Sequence, residues 1–437
     1  MQNKNILFLI IANILWSLIP VIVLGLFDEF SIITIIFLRF FFSAIVLFSL
    51  AIIFVFINNK YTSNERIGFR ELFQFTISKN KDFFNLRYIY YIAILGFIGI
   101  ILQLIFFFLA LKFTSISLTM LGFQLSIVII AFYEHGNKSE KLDIFKALYL
   151  VVLIFSITII ILVKAEQTGI IFSSSGFLYI IIFTICLTFF HIIVTQDKFG
   201  KKEIKLINRN ENYKIPRLLI KISFMFFAGI GLMFPFIIFL YLLPFQTDLT
   251  YEITNFFREI PTIHIILLRW EIIFLIIFST IIPYLLLFIA YAKWSPFHLT
   301  YRQWNSILSV IEPIGSILFG VLFNIEAFDT IFLIIVLFLL AMSILLRYIH
   351  ESTNKVNALI MIKRSKGTMD KLALKLLKND GVYCVQYLVG TYDMILSIKT
   401  NSIRELYYLV NDKIRKLMEI KEINILFINE INKLSIN

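Results

Sequence analysis

Ten times along this chain an apolar run long enough to cross a bilayer recurs, and no other feature limits its fold so tightly. A hydrocarbon core about 30 Å thick takes roughly 20 helical residues at about 1.5 Å of rise each. On that measure the spans are Ile6–Phe27, Ile32–Ile57, Tyr88–Leu111, Ser115–Tyr133, Phe145–Val163, Phe177–Thr195, Leu219–Leu243, Glu271–Trp294, Trp304–Phe323 and Thr330–Arg347. Backbone groups in hydrocarbon must satisfy one another, so each run is expected to be a helix. The eighth is preceded by a further apolar stretch, Ile260–Trp270, which suits a re-entrant or interfacial helix.

Composition agrees. The 437 residues are 59% hydrophobic and 16% charged, against roughly 25% charged in soluble domains. The 49 Phe reflect a compositional bias and carry no functional weight. The net charge of +12 falls largely in loops, where membrane proteins collect Lys and Arg, so no nucleic-acid partner is expected. Cys186 and Cys384 lack CxxC spacing, and neither a disulfide, a metal site nor a cofactor is expected. The apolar run after Lys4 has no small-residue cleavage site and reads as a retained first helix.

Loop charge suggests the orientation. Lys60, Arg66, Arg70, Lys79, Lys81 and Arg87 follow the second span, and Lys198, Lys201, Lys202, Lys205, Arg209, Lys214 and Arg217 follow the sixth. The link after the first span holds Asp28 and Glu29, and the link around Glu326 and Asp329 is likewise free of base. Both basic loops face the cytoplasm of a cell membrane if the N-terminus does, and an even number of spans returns the C-terminus there. Divided five plus five, the chain gives two halves of opposite insertion, residues 1–166 and 167–350. Ile127 precedes Glu140 by thirteen residues, and Pro313 precedes Glu326 by thirteen. Inverted repeats meeting at a midplane site are a common plan of secondary transporters.

Several stretches then resemble the EamA-like transporters of the drug/metabolite transporter superfamily. They are ILWSLIP (Ile14–Pro20), FLRFFFSAIVL (Phe37–Leu47), ALKFTSISL (Ala110–Leu118) and VIEPIGSILFG (Val310–Gly320) followed by Glu326. Ser17 stands where that family usually has glycine, and Ile127 where the first repeat has proline. The resemblance implies ten helices in two inverted repeats and alternating access to one central cavity. It also implies transport of a small metabolite, often outward and often linked to protons.

Charged groups in hydrocarbon need an explanation, at roughly 2.5–3.5 kcal/mol each on insertion scales. Glu312 lies midway along the ninth span beside Pro313, whose missing N–H bends a helix and frees carbonyls. It suits a proton- or cation-responsive group, or a protonated carboxyl holding helices together. Arg39, in the second span, suits a carboxylate or phosphate ligand, an internal pair, or snorkelling towards headgroups. Asn13 and Trp16 sit one turn apart in the first span, and Gln103 and Gln124 lie inside the third and fourth. These suit a solute pathway or bonds between helices. His191 suits the interface, and Tyr284, Tyr291, Trp294 and Trp304 suit an aromatic belt as well as a pocket. No P-loop, HExxH or nucleophile elbow is present, so an enzyme is not expected.

After Arg347 a short polar linker leads into a different kind of sequence, residues 356–437. Asn357–Ile362 has strand character. Met369, Leu372, Ala373, Leu376 and Leu377 follow at helical spacing, with Gly381 as the residue past the helix end. Val382–Val389 and Tyr392–Ile398 make a hairpin around Gly390 and Thr391, with Met394, Leu396 and Ile398 on one side. Ser402 and Glu405 form a capping box for a helix whose apolar face is Ile403, Leu406, Tyr407, Val410, Ile414 and Leu417, and Asn424–Ile428 is the last strand. The order βαββαβ is a small α+β ferredoxin-like domain.

The VGTYD element, Val389–Asp393, is similar to the glycine–aromatic–aspartate turn of the Lrp/AsnC ligand-binding domain. No helix-turn-helix precedes it. The resemblance implies a homodimer through the sheets and an amino-acid or similar effector near Gly390, Tyr392 and Asp393. The same residues also suit turn chemistry alone. The chain is therefore expected to be an all-α polytopic membrane protein with a cytoplasmic α+β domain. The expected function is secondary transport of a small metabolite such as an amino acid; the alternative is a membrane-anchored receptor without transport.

Overall fold

The computed structural model describes residues 2–61, 68–78, 86–138, 144–168, 174–196, 213–242, 244, 246–294, 299, 301–353, 356–365, 368–377, 379, 381–400, 403–415, 417 and 419–427. Among them are ten helices long and apolar enough to cross a membrane: Lys4–Leu24, Ile32–Lys60, Leu86–Phe113, Ile116–Tyr133, Ile144–Glu166, Ser175–Ile192, Lys214–Tyr241, Trp270–Ala292, Tyr301–Leu322 and Thr330–Ser352. They are numbered spans 1 to 10. Each matches the expected run within a few residues, because length and apolarity alone define a bilayer-crossing helix.

Eight of the ten spans, 1–4 and 6–9, pack in an exchangeable pattern. Span 1 packs on spans 8 and 9, as span 6 packs on spans 3 and 4. Span 2 packs on span 8 as span 7 packs on span 3, and the pairs 2–7 and 4–9 pack on each other. Exchanging each span with the one five later maps this pattern onto itself. Five is odd, so the two sets cross in opposite senses. A π-helical turn repeats in matching helices, at Phe97–Leu102 in span 3 and Ile277–Ile281 in span 8. Spans 3 and 7 cross with their backbones almost touching. A Cβ on Gly229 would stand 2.8 Å from the Gly96 carbonyl oxygen, and one on Gly96 2.2 Å from that of Met225. Only glycine permits such an approach.

Prolines break three spans where their missing N–H leaves the carbonyl four residues earlier without a helical donor. Span 1 turns at Leu18, between Gln2–Ser17 and Ile19–Leu24, with Pro20 just after. Span 9 turns at Ser309 and Val310, between Tyr301–Leu308 and Ile311–Leu322, with Pro313 in the first turn of the second piece. Span 8 carries Pro283 two residues after its π turn.

Among the described residues, two helices of ten residues or more lie in the links. Phe69–Ser78 follows span 2 and buries Leu72, Thr76 and Ile77, while Phe69 and Phe73 pack on Phe48 at 5.4 and 6.1 Å. Asp248–Glu259 precedes span 8, started by a capping box between Thr247 and Thr250. The apolar stretch Ile260–Trp270 forms no long helix. It holds a single 3₁₀ turn and the short helix Ile263–Ile266, with Ile260, Ile265 and Leu268 exposed, as an interfacial segment requires.

Packing divides the chain into two compact units. One comprises Met1–Ser139, Leu150–Lys293 and Leu308–Ser343; the other comprises Glu140–Tyr149, Trp294–Ile307 and Ile344–Asn437. The second contains an antiparallel sheet, β1 Val356–Arg364, β2 Val382–Tyr387, β3 Met394–Thr400 and β4 Ile420–Phe427, in the order β2-β3-β1-β4. Helices Met369–Leu377 and Ile403–Tyr408 complete the βαββαβ order. Ala358, Ile360, Ile362, Met394, Leu396 and Ile398 point to one face, where Leu372, Leu376, Leu406, Val410 and Ile414 cover them.

Two details of this domain differ from expectation. Tyr407 is exposed and Leu409 buried, because the helix widens into a π turn at Leu409–Ile414 that shifts the phase of its apolar face. Gly381, at φ +99°, does not end the helix, which stops at Leu377; it opens β2, where its carbonyl accepts from the Lys399 N–H at 2.9 Å. The Ser402–Glu405 capping box and Glu140 lie outside the described residues and side chains.

Candidate solute-binding site

Arg39 is 3% exposed and does not snorkel. Its Nη2 donates to the Ser279 carbonyl oxygen at 3.0 Å and its Nε to Thr280 Oγ1 at 2.8 Å. Ser279 stands four residues before Pro283, so its carbonyl is the one that proline frees. The π turn adds the second acceptor: Thr280 Oγ1 donates to the Leu275 carbonyl at 2.9 Å and turns its lone pairs to Arg39. Ser43, one turn after Arg39, donates to the Ile276 carbonyl at 3.4 Å. Span 2 is thereby sewn to the irregular part of span 8. One guanidinium nitrogen, Nη1, is buried without a hydrogen bond, as is Ser279 Oγ.

Glu312 and Tyr284 lie within electrostatic reach of Arg39 and of each other. Glu312 sits in the first turn after the break in span 9, its N–H reaching back to the Ser309 carbonyl at 3.4 Å. That piece of helix rests on the break in span 1. Ser316 Oγ donates to the Ser17 carbonyl at 3.1 Å, and a Cβ on Gly315 would stand 2.4 Å from Ser17 Oγ. Trp16 packs edge-on against Tyr284 at 5.9 Å, Tyr284 against Phe226 at 5.6 Å and Phe226 against Phe40 at 4.7 Å. Tyr284 therefore belongs with Arg39 and Glu312, not to an aromatic belt.

The structure brings together Arg39, Glu312, Pro313 and Trp16, and separates the rest. Asn13 is buried, with Nδ2 donating to the Leu9 carbonyl of its own helix at 2.8 Å. Gln124 accepts from Ser156 of span 5 at 3.0 Å, while its buried Nε2 makes no hydrogen bond. Gln103 is half-buried at the end of the π turn of span 3. Among the described residues no group of three or more His, Cys, Asp or Glu forms a metal site.

Sequence reasoning missed a second polar system, at the end of the bundle where spans 1, 3, 5, 7 and 9 finish. Glu326 is 7% exposed there. It accepts from the Ser117 N–H at 3.0 Å and from Ser117 Oγ, and pairs with Lys164 Nζ at 2.8 Å. Lys164 also donates to the Ala327 carbonyl at 2.7 Å. Glu252 accepts from the Ile32 N–H and from Lys112 Nζ, both at 2.7 Å, and Glu259 accepts from the Ser31 N–H at 2.9 Å. These carboxylates cap the first turns of spans 2 and 4, where helix N–H groups lack partners. Arg269 pairs with Glu29, and Tyr179 donates to Asp248 at 2.9 Å. The signal was present in part: Glu326 follows Pro313 in a link free of base. Its partners come from the start of span 4 and the end of span 5 and could not be read from spacing.

At the opposite end Asn5 Nδ2 donates to the Lys293 carbonyl at 3.0 Å, and the Tyr213 hydroxyl to Asn59 at 2.6 Å. The second contact brings the end of span 2 beside the start of span 7.

In the β domain, Asp393 is part of its turn. Its Oδ2 accepts from the Arg364 N–H at 2.6 Å, its N–H donates to the Ile362 carbonyl and its carbonyl accepts from the Leu388 N–H, both at 2.9 Å. Gly390 has φ +144°, a conformation that favours glycine, and no atom stands within 4 Å of where a Cβ would lie. Tyr392 is half-buried beside it.

Among curated proteins none matches this chain. One solved structure, described as "Crystal structure of protein", aligns at 12% identity and TM-score 0.47 over 80% of this chain and 98% of its own, a likeness too weak to bear on fold or function. Two segments match known families: residues 3–162 match the EamA-like transporter family, and residues 357–435 the Lrp/AsnC ligand binding domain. With its ten apolar helices, the chain is a multi-pass membrane protein that joins a segment matching the EamA-like transporter family to one matching the Lrp/AsnC ligand binding domain.

Proposed function

We propose that this protein exports a small zwitterionic metabolite, an amino acid or a close relative, by alternating access between its two five-helix halves. One observation carries the reading: a buried cation on span 2 and a carboxylate on span 9, from opposite halves, lie within electrostatic reach of each other beside three proline-broken helices. Arg39 Nη1 and Ser279 Oγ offer unused hydrogen-bonding capacity to a solute carboxylate. Glu312 offers an anion to its ammonium group, and Trp16, Tyr284 and Phe226 an aromatic wall. Glu312 is also the proton-responsive group: protonated, it releases the ammonium; ionised, it holds it.

The ties of Glu326 with Lys164 and of Glu252 with Lys112 act in this reading as the outer gate, joining the two halves until a solute-loaded state parts them. Both termini face the cytoplasm. The β domain senses an effector at Gly390, Tyr392 and Asp393 and pairs with a second copy through the sheet face opposite its helices. The register puts Leu359, Met361, Ile395 and the exposed Leu426 on that face. An effector alters transport only by distinguishing inward- from outward-facing states.

The test is counterflow in proteoliposomes across a panel of amino acids, with and without a pH gradient. Exchange that the gradient accelerates supports export linked to protons. No exchange with any member, alongside amino-acid binding to the purified protein, would replace this reading with that of a receptor.

A further inference from the structure

Within the second unit, the ends of spans 5, 9 and 10 enclose polar donors that neither solute transport nor effector sensing uses. Arg347 of span 10 is 9% exposed. Its Nη2 donates to Ser306 Oγ of span 9, and its guanidinium lies 5.6 Å from the centre of the Tyr149 ring of span 5. Its Nε and Nη1 are buried and make no hydrogen bond. At the same junction Trp304 packs on Tyr348 at 5.6 Å, and its buried indole N–H also makes none. Lys146, one turn before Tyr149, is a second buried cation at 2% exposure. The nearby acid, Glu351, spends Oε2 on Gln303 Nε2 at 2.8 Å.

Arginine and the tryptophan indole donate and never accept. Three unmatched N–H donors in a buried, cationic junction call for an acceptor-rich anion, since a buried donor without a partner is costly. With Nε and Nη1 both unoccupied, the guanidinium keeps charge-assisted donors on two of its sides, each able to meet an oxygen of an oxyanion. We infer that this junction binds a phosphate group, that of a phospholipid headgroup or a free phosphate, through Arg347 and Trp304. Arg347 lies one turn from the end of span 10, at the depth where headgroups meet a membrane helix, and tryptophan favours that depth.

The test uses the full-length protein in detergent. Native mass spectrometry reads retained phosphatidylglycerol, and thermal unfolding of delipidated protein is followed with added inorganic phosphate. Variants are Arg347→Gln, Trp304→Phe, which keeps the ring on Tyr348 and removes only the N–H, and Arg302→Gln, an exposed cation nearby, as control. The wild type is expected to retain the lipid or to be stabilised by phosphate. Arg347→Gln should weaken that binding about tenfold or more, the scale of a lost charge-assisted hydrogen bond, and Trp304→Phe severalfold, with Arg302→Gln unchanged. Retention of lipid without a phosphate response assigns the site to headgroups; a response to phosphate alone assigns it to the free anion. Binding of both probes unchanged in Trp304→Phe and Arg347→Gln, or absent from the wild type, overturns the inference. If Arg347→Gln fails to fold, Trp304→Phe decides.

Discussion

Arg39 Nη2 lies 3.0 Å from the carbonyl oxygen of Ser279, the very acceptor that Pro283 leaves without a helical partner. A proline in one helix thus makes a socket for a cation in another, and the socket uses only part of the guanidinium.

Pro283→Ala restores an N–H that competes for the Ser279 carbonyl. Removing an interior proline leaves the helix as stable or more so, by up to about 3 kcal/mol. Flux should nevertheless fall severalfold, because Arg39 loses its fixed direction. Thermal unfolding and proteoliposome flux, measured on the same preparation, separate the two effects.

That socket marks where sequence reasoning stopped. The spans were legible because a bilayer imposes one length and one polarity on every crossing helix. The break in span 9 was legible because Pro313 acts on its own helix. Where Arg39 points was not, because its acceptors arise from a proline and a π turn in a helix distant in sequence. Glu326 stood out as an acid in a link free of base, yet Lys164 and Ser117 are contributed by spans 5 and 4. In the β domain the alternation of Met394, Leu396 and Ile398 was read correctly, while a π turn moved the helix contact from Tyr407 to Leu409.

The pair of Glu326 and Lys164 is almost fully shielded, at 5% and 6% side-chain exposure. Glu326→Ala removes the counter-ion of a buried lysine and should destabilise the protein by about 3–5 kcal/mol. Glu326→Leu combined with Lys164→Met should be less destabilised than either single change. Thermal unfolding of the four variants and the wild type checks both statements.

The crossing of spans 3 and 7 predicts a contrast between neighbouring glycines. Gly229→Ala forces a methyl group against the Gly96 carbonyl and should cost about 1–3 kcal/mol. Gly231 has no atom within 4 Å of a Cβ. Gly231→Ala should be neutral or stabilising by up to about 1 kcal/mol, since it removes a helix glycine. A shift in unfolding temperature of the same sign for both would count against the crossing.

In the β domain the Lys375 ammonium bonds to Glu419 and holds that carboxyl below the usual glutamate range. A folded-state value below the unfolded one, about 4.3, gives stability that is present above the unfolded value. It is lost as pH falls through the lowered one. Exposure keeps the effect small. Hydrogen exchange over Ile420–Phe427 should therefore show protection that declines on acidification, and Lys375→Met should flatten that decline.

Glu312→Gln keeps the size of the side chain and removes its charge. Exchange of solute should persist at a reduced rate, and its acceleration by a pH gradient should vanish. Undiminished pH dependence in this variant would reject Glu312 as the proton-responsive group.

Counterflow of a labelled amino acid by wild type and Arg39→Gln, in vesicles with matched amounts of folded protein, probes the solute site itself. Wild-type protein should exchange at least one amino acid, and Arg39→Gln should lower that exchange about tenfold or more, as expected when a charge-assisted contact to a carboxylate is lost. Exchange by Arg39→Gln at the wild-type rate, or no exchange by the wild type, would contradict a solute held between Arg39 and Glu312.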